Sequence, residues 1–355
     1  MPRWAFLIPL VATAVLLAAL MAPMGAVLGT ICAVALIGSV IAAVHHAEVI
    51  AHYTGEPFGT LVLAVAITVI EVALIVSLMI SDASPASALP RDTIYSAIMI
   101  ICNGVVGLCL LVGGWRHHEQ AFRIEGASSP LACLIALATL SLVLPAFTTS
   151  APGPIYTGPQ LAFASVASLA LWALFVFVQT VRHREYFLPA GNGHDTSVHT
   201  EPPTRRLAWA SFAMLIVSLV AVVGLAKTLA PTIERAVAAV NAPSAVIGIA
   251  IALLVLLPET WAALRAAHSN RLQTSLNLAL GSALASIGLT IPAVAVVSVW
   301  LDVRLVLGLE SKDLVLLTLT FVVGAITLGT GRTTVLQGAI HLVIFAAFVL
   351  LAFAP

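Results

Sequence analysis

Three features of the chain predict a polytopic bundle of membrane-spanning α-helices. Hydrophobic residues fill 61% of its 355 positions and charged residues only 8%, whereas a water-soluble domain carries about a quarter charged residues. Eleven apolar runs approach the ~20 residues that a helix needs to cross a bilayer. These runs lack the alternation of barrel strands, and lipid admits only helices or closed barrels.

In chain order the runs are 4–21, 24–44, 58–80, 93–114, 130–147, 160–181, 207–229, 243–265, 275–300, 312–330 and 334–353. Arg3 followed by the stretch from Trp4 to Leu20 resembles a signal peptide. The stretch is long for one and a second run opens just past Pro23, so an uncleaved first helix is expected. The fifth run is the shortest, with Pro145 near its end. The longest polar stretch, Arg182 to Arg206, holds Pro189, Gly191, Gly193, Pro202 and Pro203 and reads as a flexible linker. It divides the chain into an N-terminal half (1–181), a linker (182–206) and a C-terminal half (207–355). With the first helix set aside, five helices face five. An odd number per half inserts the second half upside down, the inverted-repeat plan of many secondary transporters.

Loop charge orients the chain. With the N-terminus inside, ten Lys and Arg residues fall in inner loops and five in outer ones. This bias predicts a multi-pass protein of the inner (plasma) membrane with its N-terminus and linker cytoplasmic and its C-terminus outside. The net charge is zero, so no basic patch suggests nucleic acid. Cys32, Cys102, Cys109 and Cys133 lie inside apolar runs without metal-like spacing and read as small buried hydrophobes.

Of fifteen acidic residues, only Glu71 and Glu259 lie deep in apolar runs, and no Lys or Arg lies equally deep. An ionisable group inside a membrane is by default a functional site. Glu71 is the fourteenth residue of run three and Glu259 the seventeenth of run eight, the second helix of each five-helix half. At ~1.5 Å per residue both lie somewhat past mid-membrane. Antiparallel helices could bring them together there as an ion- and proton-binding pair. Two close buried carboxylates hold protons unless a cation replaces them, which is the physics of exchange.

Oxygen donors surround both positions. Thr68 lies one turn before Glu71, and Pro258 removes the helical partner of the Leu254 carbonyl beside Glu259. Hydroxyls and released carbonyls are hard-cation ligands. Ser96, Asn103 and Gly107 share one helix face, and Ser275, Ser282 and Ser286 repeat that spacing. Small and polar residues also let helices pack closely, so both readings stand for this set. His45, His46, Glu48, His52 and Glu56 cluster before run three. A solvated turn is expected there. A proton-relay or ion-entry role for Glu48 and Glu56 is the alternative, and a zinc site is conceivable. His183, His194 and His199 fall in the linker and are expected to be solvated.

The stretch Gly55-Glu56-Pro57-Phe58-Gly59-Thr60-Leu61, running on to Thr68-Val69-Ile70-Glu71-Val72-Ala73-Leu74-Ile75, resembles the first α-repeat of the calcium/proton exchanger family. Leu257-Pro258-Glu259-Thr260-Trp261, with Ala267-His268-Ser269-Asn270-Arg271 and Gly281-Ser282, resembles the second. The similarity is narrowest to the ChaA-type cation/proton antiporters of the calcium:cation antiporter superfamily. It implies two pseudo-symmetric five-helix halves around a central site, with Glu71 and Glu259 binding cation and protons alternately. It also implies family positions at Glu48, Gly55-Glu56, Asn103 and Ser282. The chain departs from better-known members, which carry Gly-Asn before each repeat glutamate and a histidine after the second. Here Ile67-Thr68 precedes Glu71, and Thr260 follows Glu259. The acidic segment between halves is also missing, since the linker holds only Glu185, Asp195 and Glu201.

A secondary antiporter is therefore expected, with calcium as the cation and sodium or potassium as the alternative on the same scaffold. A passive channel fits less well, because channels usually ring a pore with symmetric subunits. An embedded enzyme would need a nucleophile–base pair or metal motif that the deep segments lack. No GxxxxGK[ST] phosphate loop occurs, so neither a nucleotide nor any other cofactor is expected.

Overall fold

The structure, a computed structural model, describes residues 2–55, 58–81, 86–188, 203–239, 243 and 245–354. The helices are α1 (Arg3–Met21), α2 (Ala26–Thr54), α3 (Phe58–Ser81), α4 (Leu89–Met99), α5 (Val106–His117), α6 (Ile124–Ala138), α7 (Gly158–Phe177), α8 (Arg205–Ala239), α9 (Ala245–His268), α10 (Leu272–Leu301), α11 (Ser311–Leu328) and α12 (Val335–Phe353). A π turn, Ile100–Val105, joins α4 to α5 into one segment. Among the described residues nine helical segments are long and apolar enough to cross a membrane, and α9 makes a tenth if its two bent arms count as one span. Large apolar side chains such as Val296, Trp300, Val343 and Leu350 are exposed, as lipid-facing surface requires.

Local chemistry sets the helix ends. Gly55, at φ +74°, closes α2 in a conformation that a β-carbon disfavours. Asp302, at φ 54°, ends α10 in the left-handed region. Thr157 with Gln160 and Thr334 with Gln337 form capping boxes that start α7 and α12.

Two boundaries differ from expectation. α2 runs to Thr54, so His45, Glu48 and His52 lie on a helix rather than a solvated turn. Ala47 and Ala51 are buried there, and His46 is fully buried with its Nε2 2.8 Å from the Ala5 carbonyl. Linker residues Arg184–Phe187 form a 3-10 turn with Phe187 buried, and the Phe187 carbonyl accepts a hydrogen bond from Asn277 at 2.6 Å. The linker thus starts as packed structure, and positions 189–202 lie outside the described residues.

The described chain forms two compact units, each drawing on both sides of the linker: residues 1–84 with 195–247, and residues 85–194 with 248–355. In the first unit α1, α2, α3 and α8 pack together. Ser77 donates to the Val223 carbonyl at 3.3 Å, tying α3 to α8. Gly224 admits Leu16, whose Cδ2 would lie 2.4 Å from an added β-carbon.

In the second unit the α4–α5 segment is the most thoroughly buried of the described spans. Two short strand pairs bracket it. β1 (Ala86–Ser87) pairs in parallel with β3 (Arg304–Leu305), and β2 (Gln120–Ala121) pairs antiparallel with β4 (Arg332–Thr333). Each pair joins an end of the α4–α5 segment to an end of α11.

Candidate functional site

In the first unit Glu71 is 4% exposed on α3, among Ile70, Leu74 and Ile75, which are equally buried. Thr68, one turn earlier on the same helix face, is also buried. Leaving an ionised carboxylate in such surroundings is costly unless positive charge or hydrogen bonds compensate. On α2 of this unit the Glu48 side chain is about half exposed, with Oε2 3.8 Å from His45 Nδ1. Glu56 lies outside the described residues.

In the second unit α9 is bent by 55° between Val246–Leu257 and Glu259–His268. A proline inside a helix removes one backbone hydrogen bond and clashes with the preceding turn, so Pro258 accounts for the bend. The Pro258 side chain lies outside the described residues. Glu259 opens the second arm and both its carboxylate oxygens are buried. The Thr260 hydroxyl donates to the Leu256 carbonyl at 2.7 Å across the bend. The start of α9 rests on the start of α4, where a β-carbon at Gly248 would lie 2.8 Å from the Asp92 backbone. Asp92 pairs with Arg91 at 2.8 Å, and Arg91 also donates to the Gly308 carbonyl at 3.3 Å.

The polar residues of the α4–α5 segment have defined partners. Ser96 is buried and donates to the Asp92 carbonyl at 2.5 Å. Asn103 lies in the π turn and is fully buried. Its Nδ2 donates to Thr320 Oγ1 at 2.8 Å, and its Oδ1 lies 3.1 Å from His341 Nδ1. His341 Nε2 lies 3.2 Å from Thr327 Oγ1. The face carrying Asn103 and Gly107 thus packs on α11 and α12. On α10, Ser286 is buried and Ser282 half-buried, one turn apart.

Sequence reasoning missed His341, Thr320 and Thr327. The rule that marks Glu71 also marks His341, an ionisable side chain inside an apolar run. It missed Gln120 too, whose Nε2 donates at 3.0 Å to both the Ala267 carbonyl and Asn270 Oδ1. That clamp holds the α9–α10 turn, where Asn270 sits at φ 57°. No local pattern reveals it, because its partners lie about 150 residues away. Among the described residues no group of three His, Cys, Asp or Glu is arranged to hold a metal ion.

Comparison with known proteins places these features in a family. The model of the sodium/calcium exchanger protein family matches residues 10–181 and 210–354. A relative from Sinorhizobium fredii, y4hA, is 49% identical over 100% of this chain and 97% of its own length. The sodium-potassium/proton antiporter ChaA of Escherichia coli is 35% identical over 90% of this chain and 87% of its own. The solved structure of the Ca2+/H+ antiporter YfkE superposes over 100% of both chains with a TM-score of 0.73 at 18% identity, which establishes a shared fold. The chain is therefore a multi-pass membrane protein of the sodium/calcium exchanger family, a family of secondary transporters and not of enzymes.

Proposed function

We propose that this chain is a secondary antiporter that exchanges calcium for protons by alternating access, with Glu71 and Glu259 acting as one titrating pair. The observation that carries the reading is a carboxyl only 4% exposed in the middle of an apolar helix. Such a group is costly to leave ionised, and a proton or a bound cation would neutralise it. Glu259, at the 55° bend of α9, is the counterpart on the helix that the sequence pairs with α3. Two carboxylates are neutralised equally well by two protons or by one divalent cation. The empty ionised pair is too costly to carry across the membrane, and that penalty couples the two fluxes. The sequence offers Thr68, Ser282 and the Leu254 carbonyl released by Pro258 as further oxygen donors for such a cation. Halves 1–181 and 207–355 act as inverted repeats joined by the linker. The loop charges support a plasma-membrane protein with N-terminus and linker in the cytoplasm and C-terminus outside.

A second reading, exchange of sodium or potassium for protons on the same scaffold, draws on ChaA, the 35% identical relative named as a sodium-potassium/proton antiporter.

Vesicles reconstituted with the protein and loaded with a pH dye test both readings when calcium, sodium and potassium are added outside in turn. Proton release on calcium is the expected result, abolished in Glu71→Gln and in Glu259→Gln while both variants still insert and melt normally. Release only on sodium or potassium selects the second reading. Cation entry without proton movement, or retained exchange in both variants, overturns the assignment.

A further inference from the structure

We infer that His341 is a positioning residue for transport, holding the π turn of the α4–α5 segment through Asn103. The inference rests on the transport reading above for its functional effect, and on the second unit alone for its geometry. The hydrogen bonds assign the protons. Thr320 Oγ1 donates to the Leu316 carbonyl at 2.8 Å, so toward Asn103 it can only accept, and the donor there is Asn103 Nδ2. Asn103 Oδ1 is then the atom facing His341, and it accepts from Nδ1–H at 3.1 Å; the ring also hydrogen-bonds the Cys102 backbone in the same turn. In the neutral ring Nε2 carries a lone pair, which takes the Thr327 hydroxyl proton at 3.2 Å. All four side chains are 3% exposed or less. They form one satisfied network linking the π turn to α11 and α12.

The π turn sets the register of the segment. It carries one residue more per turn than the α-helices on either side. Removing one residue from the winding rotates α4 by about 100° relative to α5, since an α-helix has 3.6 residues per turn. Ser96 and the whole buried face of α4 would turn with it. Asn103 sits in this turn and is anchored on two helices at once. The His341 ring reaches it because Gly107 leaves room for the root of the His341 side chain: a β-carbon at Gly107 would lie 3.0 Å from His341 Cβ. His341 thereby decides which residues α4 presents. Asn103 acts as a strut in this arrangement rather than as an ion ligand.

Side-chain mimics separate this role from proton carriage. An asparagine amide can place a donor where Nδ1 stood, and a glutamine amide reaches only the Nε2 position. In the vesicle assay His341→Asn is expected to keep the apparent cation affinity within about twofold of the parent. His341→Gln and His341→Ala are expected to weaken it about tenfold, the scale of one lost buried hydrogen bond, with the maximal rate little changed. Thr327→Val, which touches only Nε2, is expected to behave as the parent. Equal defects in the Asn and Gln variants, or a loss of maximal rate with a shifted pH profile in the Asn variant, overturn the inference. So does a change in melting temperature without any change in affinity. Nitrogen NMR of ring-labelled protein reads the geometry independently of transport. A protonated Nδ1 with bare Nε2 is expected, and the opposite tautomer or a charged ring overturns the assignment even if the protein exchanges no ions.

Discussion

Tyr156, in the loop before α7, shows at residue scale what burial does outside the membrane. Its hydroxyl donates to the Leu140 carbonyl at 2.6 Å, inside the π turn Thr139–Val143. Burial raises its pKa above the ordinary 10.0. A raised folded pKa means that the contribution is complete below pH 10 and fades as pH rises through the higher folded value. Tyr156→Phe is therefore expected to destabilise the protein by about 1 kcal/mol at pH 7. The gap between variant and parent should narrow above pH 10, as measured by thermal melts in detergent. A gap independent of pH would show that the hydroxyl is not the source. The same scale sets what was legible in the sequence. Glu71 stands out because nothing else as charged lies so deep in its run. His341 and Gln120 do not, because their meaning comes from Asn103, Ala267 and Asn270, which only folding brings near.

At the scale of elements, helices were legible where apolar runs open beside Thr157 and Thr334, the starts of α7 and α12. They were misjudged where polar residues lie inside a packed helix. His45, Glu48 and His52 continue α2 because lipid penalises an open backbone more than a helical histidine. Phe187 in the expected linker is buried for a similar reason, since its partners Phe175 and Asn277 belong to other elements. The π turn at Asn103 left no mark in the hydrophobic pattern. Close packing of α5 on α12 makes it possible, and that packing can be tested. A β-carbon at Gly338 would lie 2.4 Å from the Leu111 amide nitrogen, whereas one at Gly281 meets nothing within 4 Å. Gly338→Ala is expected to lower stability by about 1–3 kcal/mol through overpacking. Gly281→Ala should leave the melting temperature unchanged or slightly raised. Equal melting of the two variants would refute the close helix contact.

For the molecule as a whole, the proposed exchange through a shared carboxylate pair ties cation affinity to pH. Protons and cations would then compete for the same oxygens, so apparent cation affinity is expected to fall as the medium is acidified through the carboxylate range. Flux measured over a matrix of pH and cation concentration checks this, and an affinity constant from pH 5 to about 8 would refute competition. Composition alone determined that the chain lives in lipid as helices, because a chain with 8% charged residues cannot cover a surface in water. The sequence also marked Glu71 and Glu259 as candidate site residues, because an ionisable group deep in an apolar run is by default a functional-site hypothesis. Only the tertiary structure decided what the remaining polar residues do. A hydroxyl, amide or imidazole inside a membrane protein must find a partner, and that partner is set by which helices pack together rather than by spacing along one of them.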